Sequence, residues 1–244
     1  MFRDSKVRVS TNSQFILGKN CLIKNCNINL ADGASLVIGE NTILRNAYID
    51  INASSFLVGV NCDLSDAMIQ ITNNGKLILG DCCVVERGDS WRGSILNITD
   101  SSKLKIEHHN RIRCDIFMRF KSYCMIGCYN CINEETEIRV DDKLVIGDYN
   151  MISYRCRIWD TDTHTFYNDD TRRMMTEMMY PNIGAEKDKP NTKPIEIGSD
   201  NLIGEYVAVL KGSKIGNSCK VGFRTIVSNI DIADGTTYVN KPNR

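Results

Sequence analysis

The chain has 244 residues, of which 42% are hydrophobic, enough for a substantial core in one large repetitive domain or two ordinary ones. Its 30 basic residues balance 30 acidic ones, so no overall field favours nucleic acid or an anionic membrane surface, and an anionic ligand must be met locally. No run approaches the roughly 18 apolar residues of a membrane span, and the opening MFRDSKVRVSTNSQ lacks the apolar core of a signal peptide, so a cytoplasmic chain is expected.

From the amino end, an anchor of the form aliphatic-Gly recurs at Leu17, Ile38, Val58, Leu79, Ile106 (followed by Glu107), Ile126 and Ile146, with spacings of 21, 20, 21, 27, 20 and 20. Six residues after each anchor comes another aliphatic, and four after each comes a short side chain: Cys21, Thr42, Cys62, Cys83, Asn110, Asn130 and Asn150. The excess over a multiple of six sits in polar segments such as Ala31-Asp32-Gly33 and Asn73-Asn74-Gly75, where a turn can bulge into solvent. From Ile195 the rule holds without a slip: Ile197, Ile203, Val209, Ile215, Val221 and Val227, with Gly198, Gly204, Gly216 and Gly222 following four of the first five. A period of six suits a short strand plus a tight turn, stacked as a solenoid. Three such segments make a triangular turn, so about nine turns and a prism of roughly 40 Å are expected at the spacing of β-strands.

Two stretches interrupt the repeat. Glu86–Ser94 (ERGDSWRGS) can protrude with Arg87, Trp91 and Arg92; an exposed Trp91 could stack on a sugar ring, but a Trp91 folded over the prism wall is the favoured expectation. Between Ile158 and Ile195 a loop near 160–194 intervenes, of a length that is usually functional. Its Met174, Met175, Met178 and Met179 predict a short helix docking on a neighbour or on its own subunit.

The 11 cysteines do not read as a disulfide framework, because their number is odd and Cys21, Cys62, Cys83 and Cys219 fall on the inward position of the repeat. Cys124, Cys128 and Cys131 stand at ligand-like spacings but match standard zinc patterns poorly, and no metal is expected. Of the 3 histidines, His108 and His109 occupy an anchor's turn and read as solvated. His164 closes the run Trp159-Asp160-Thr161-Asp162-Thr163-His164 at the root of the long loop.

The six-residue repeat, the loop opened by this D-x-D-x-H-like run and the stretch PIEIGSDNLIGEYVAVLKGSKIGNSCKVGFRTIVS together resemble the hexapeptide-repeat acyltransferases, in the branch of galactoside, maltose and surface-polysaccharide O-acetyltransferases. The close match covers roughly residues 120 to 244. The resemblance implies an all-β, left-handed parallel β-helix forming one domain over 1–244, with amino-terminal turns to 120 and catalytic turns from 121. It implies a homotrimer with acetyl-CoA bound between neighbouring prisms, and transfer of an acetyl group to a carbohydrate hydroxyl of a bacterial capsule or lipopolysaccharide.

By position, His164 matches the family's general base, with Asp162 or Asp160 orienting the imidazole. Asn133 and Asp141 match acceptor-contacting positions, and Trp159 is a further candidate for the acceptor. Gly204-Glu205 and Gly222-Phe223 match the backbone that holds the thioester and pantetheine, where an amide also serves an oxyanion. Ser228 matches a hydroxyl near the CoA end. Arg224, Lys241 and Arg244, with Lys211, Lys214 and Lys220 around them, supply positive charge for the nucleotide phosphates. Leu202 stands where many relatives have Trp, Asn240 where they have Gly, and Phe223 where they have a small residue. The alternatives are N-acyl transfer to a nucleotide-linked amino sugar, a non-catalytic solenoid scaffold, and a zinc carbonic anhydrase, for which the three histidines are badly placed.

Overall fold

A computed structural model describes residues 1–87, 94–182 and 188–240. The chain winds as a three-walled solenoid in which paired strands run parallel. The first wall is a ten-stranded sheet from Gln14–Leu17 to Asp231–Ile232. The second begins with Phe2–Arg3, Leu22–Lys24 and Ile43–Arg45, is bridged at Asp63, and continues as seven strands from Val84–Val85 to Thr237–Tyr238. The third has four strands from Lys6–Val9 to Met68–Ile69, then six from Leu96–Ile98 to Ile226–Ser228.

The six-residue rule produces this because each short strand turns alternate residues inward and the ones between them outward. Leu144 and Ile146 are buried in the strand Lys143–Ile146 while Val145 between them is half-buried. Like positions stack from rung to rung: Leu77 pairs with both Phe56 and Leu104. The result is one column of buried aliphatics along the chain, and the rung spacing is close enough to constrain the anchors. A Cβ on Gly39 would lie 2.5 Å from the Gly59 carbonyl oxygen, and one on Gly198 would lie 2.6 Å from that of Gly216, so glycine follows the aliphatic because the next rung fills the space.

The solenoid has about 11 turns, more than the nine expected. The tenth rung of the first wall is Ile232-Ala233, where alanine replaces the anchor's glycine, and Phe2–Arg3 and Lys6–Val9 already pair before the first anchor. All 11 cysteines are free thiols. No helix among the described residues is long and apolar enough to cross a membrane.

The segment beginning at Glu86 falls between the second and third walls; the expectations for Trp91 and Arg92 lie outside the described residues. The long loop falls between the third wall's Arg157–Trp159 and the first wall's Ile195–Ile197. It contains one helix, α1 (Asp169–Met179), whose N-cap Asn168 accepts from the Thr171 amide at 2.9 Å. No residue of α1 is buried, and Met174 and Met178 are 53% and 78% exposed, so the expected docking on its own subunit does not occur.

Candidate functional site

The predicted site residues divide between two corners of the prism. One, the loop corner, is where the third wall passes to the first; the other, the glycine corner, is where the second passes to the third.

At the loop corner the chain leaves the solenoid through a hydrogen-bonded root. Thr161 forms an antiparallel bridge with Thr192, the Asp162 amide donates to the Asn191 carbonyl (3.1 Å), and the Lys193 amide donates to the Asp160 carbonyl (3.0 Å). Thr163 has a φ of 66°, a left-handed conformation unfavourable for a β-branched residue. It is held there by its amide's bond to the Thr161 hydroxyl (3.0 Å) and by Arg119 Nη2 on its carbonyl (3.5 Å). His164 follows directly and is exposed, with no hydrogen-bond partner among the described residues.

The two aspartates expected to orient its imidazole are engaged elsewhere. Asp160 is fully buried, and its two oxygens accept from the backbone amides of Asp141 and Asp142, each at 2.8 Å. Burial lifts its pKa from the ordinary 3.8 to about 6, against the lowering effect of those amides. Asp162 pairs with Lys211, which also removes Lys211 from the expected phosphate-facing set; Lys214 is likewise paired, with Glu196 at 3.5 Å. Asp141, expected to touch the acceptor, is 1% exposed. Its oxygens are taken by a two-point contact with Arg119 (3.0 and 2.6 Å) and by the Thr161 hydroxyl (2.8 Å). These three carboxylates therefore build the root that presents His164. Trp159 and Ser228 do lie towards this corner, in one outward row of the third wall through Leu210, and the Trp159 ring carries the Arg139 guanidinium 5.5 Å from its centre.

At the glycine corner, Gly204-Glu205 and Gly222-Phe223 stack on successive rungs, since Ile203 pairs with Val221. The amides of the glycines themselves are not available: Gly204 donates to Val221 (2.8 Å) and Gly222 to Tyr238 (2.9 Å) within the ladder. The amides of Glu205 and Phe223 make no ladder bond. Glu205 is held by Arg155 (2.9 Å), which also binds Glu135 (2.8 Å). Arg224 lies over the Tyr206 and Phe223 rings, 5.4 and 5.0 Å from their centres. Phe223 is 58% exposed. Asn133 belongs to this corner, its side-chain amide donating to the Ile152 carbonyl (3.1 Å). Lys241 and Arg244 lie outside the described residues.

Thus His164 and the glycine backbone are not brought together within one chain, because the third wall separates them. Sequence reasoning missed Arg119, Arg139 and Arg155. The signal was present: Arg119 and Asp141 are 22 residues apart and Arg155 and Glu135 are 20 apart, one turn in each case, so charges of opposite sign at that spacing meet.

A three-walled parallel solenoid built on a six-residue repeat, with a long loop breaking its carboxyl-terminal rungs, is the architecture that the resemblance to hexapeptide-repeat proteins implies. No protein-family model matches the chain. Over 126 residues, 51% of the chain, it is 29% identical to the probable acetyltransferase Rv3034c of Mycobacterium tuberculosis, and the match spans 35% of that relative's length. The solved structure of the polySia specific acetyltransferase NeuO aligns over 99% of this chain and 83% of its own, with a TM-score of 0.50 and 16% identity. That likeness establishes the fold.

Proposed function

We propose that the chain is an acetyl-CoA-dependent O-acetyltransferase whose acceptor is a carbohydrate, of the kind found in a bacterial capsule or lipopolysaccharide. The observation that supports this most is His164. It is exposed on a loop root whose carboxylates are engaged with other groups and whose Thr161 hydroxyl and Arg119 hold the Thr163 backbone before it, in a solenoid of acetyltransferase fold.

In this reading His164 removes the proton from an acceptor hydroxyl as that oxygen attacks the thioester carbonyl; the carbon–sulfur bond breaks, and the imidazolium returns the proton to the departing thiolate. A sugar hydroxyl is a poor nucleophile while protonated, which is why a base is required. The Glu205 and Phe223 amides, free of the ladder, supply donors for the acyl arm and the oxyanion, and Arg224 supplies charge for phosphate. Because the two corners are a wall apart, the loop corner of one copy meets the glycine corner of a neighbour, as in a closed homotrimer.

The test is release of thiol from acetyl-CoA in the presence of a saccharide, with mass gain of one acetyl group on the sugar. His164→Ala is expected to lower kcat by about 10²–10⁴-fold, the usual contribution of a general base, with its melting temperature unchanged. Full activity in that variant would remove the mechanism.

A further inference from the structure

Beside the root of His164 the third wall contains a cavity of about 150 Å³, and its polar lining is unbalanced. The carboxylate and amide oxygens there are occupied. Both Asp141 oxygens accept from Arg119, and Asn97 Oδ1 accepts from the Thr72 hydroxyl (3.1 Å). The Thr99 hydroxyl spends its proton on the Met118 carbonyl (2.9 Å) and keeps its oxygen as the one side-chain acceptor without a partner among these residues.

The donors are not occupied. Arg119 uses Nε and Nη2 and leaves Nη1 without an acceptor. Arg139 bonds only through Nε, to Glu137 at 2.5 Å, and leaves both terminal nitrogens. Asn97 Nδ2 has no acceptor either. All of these side chains line the same cavity, so two guanidiniums and an amide with unused N–H groups border it. Phe117 also lines it, and the Arg139 guanidinium lies over the Phe117 ring 5.3 Å from the centre, a contact that orients the planar fork.

We propose that this cavity is an acceptor subsite for a carboxylate-bearing sugar, with Arg139 and Arg119 as the groups that recognise the carboxylate. The inference rests on the acetyltransferase reading for its place in catalysis, and on the lining alone for its ligand. A donor-rich, acceptor-poor wall suits an anion with several lone pairs, and guanidiniums match a carboxylate at two points. Arg119 and Arg139 are each paired with a carboxylate of the protein, so recognition comes from directed hydrogen bonds and not from net charge. The apolar ring suits the C–H face of a pyranose. The volume is below the ~300 Å³ at which pockets for whole small molecules begin, so the cavity takes one acidic residue while the remainder of a longer saccharide lies outside. Through Arg119, which also holds the Thr163 carbonyl next to His164, the seated sugar is tied to the base. The subsite also gives a use to turns before residue 120, since Asn97, Phe117 and Arg119 come from them.

Binding is measured by calorimetry without acetyl-CoA, using the methyl glycoside of N-acetylneuraminic acid and its neutral carboxamide. The wild-type protein is expected to bind the acid at least about ten-fold more tightly than the amide, as charged hydrogen bonds require. Arg139→Met should bring the acid to the level of the amide, Arg139→Lys should keep part of the preference, and His164→Ala should keep all of it. Arg139 is chosen because truncating Arg119 strips a buried carboxylate of its partner. Equal affinity for acid and amide, or a preference that survives in Arg139→Met, would overturn the subsite. Arg139-dependent binding of the acid by a protein that transfers no acetyl group would overturn the acetyltransferase reading and leave the subsite standing.

Discussion

Asp160 shows how one residue serves the site from a distance. It lies near a corner where, on other rungs, small hydroxyls meet backbone carbonyls, as Ser122 donates to Val140 at 2.8 Å and Ser213 to Val227 at 3.1 Å. Its carboxylate instead caps two amides, on Asp141 and Asp142, at the turn beneath the loop root. Burial raises its pKa from 3.8 to about 6, so between those values the folded chain holds a proton that the unfolded chain has released. Stability contributed at this position is therefore greatest below about pH 4, falls as pH rises to about 6, and is flat above; the fall is at most about 1.4 kcal/mol for each pH step of one between those values. Asp160→Asn removes that dependence. Urea midpoints of wild type and variant at pH 4 to 7 are expected to converge at the acid end and separate as the pH rises, with wild type losing the more; parallel curves would show that Asp160 does not titrate in this range.

The repeating element explains the sequence's unusual use of cysteine and asparagine. Four residues after each anchor, a short donor reaches the carbonyl one rung on: Cys21 to Gly39 (3.1 Å), Thr42 to Gly59 (3.1 Å), Cys62 to Gly80 (3.2 Å), Asn130 to Gly147 (2.9 Å) and Asn150 to Gly198 (2.9 Å). Where the residue is asparagine, its side-chain oxygen also accepts the next rung's amide, as Asn130 does from Asn150 at 2.8 Å. The position is thus selected for a small donor that satisfies buried backbone, beyond packing alone. Asn130→Ala leaves the Gly147 carbonyl and the Asn150 amide unpaired and is expected to cost about 1–3 kcal/mol for each group. Asn130→Thr should cost less than half as much, because Thr42 already fills both roles, accepting from the Cys62 amide at 3.2 Å. Denaturant melts of the two variants check this, and equal losses would contradict it.

At the scale of the whole molecule, the sequence made the solenoid legible because an aliphatic every sixth position has few other structural solutions. The turn count fell short where Ala233 replaced glycine and where the first strands lacked an anchor. The site was legible only in outline. His164 stood out as the one histidine beside a break in the repeat, but a one-dimensional reading placed Asp160, Asp162 and Asp141 near it as chemistry. In three dimensions the 20-residue register assigns those carboxylates to amides, Lys211 and Arg119. The same register places Gly204 and Gly222 at a different corner from His164, which a linear motif cannot express.

In the proposed mechanism, two corners contributed by different copies make one active centre. His164→Ala carries a damaged base and Phe223→Glu a damaged glycine corner, and each alone is expected to be nearly inactive in acetyl transfer. Co-expressed, random closed trimers would pair an intact base with an intact corner at about one site in four, so activity is expected to recover towards about a quarter of wild type. Recovery of that size supports a site shared between subunits; a mixture no more active than either variant alone would contradict it.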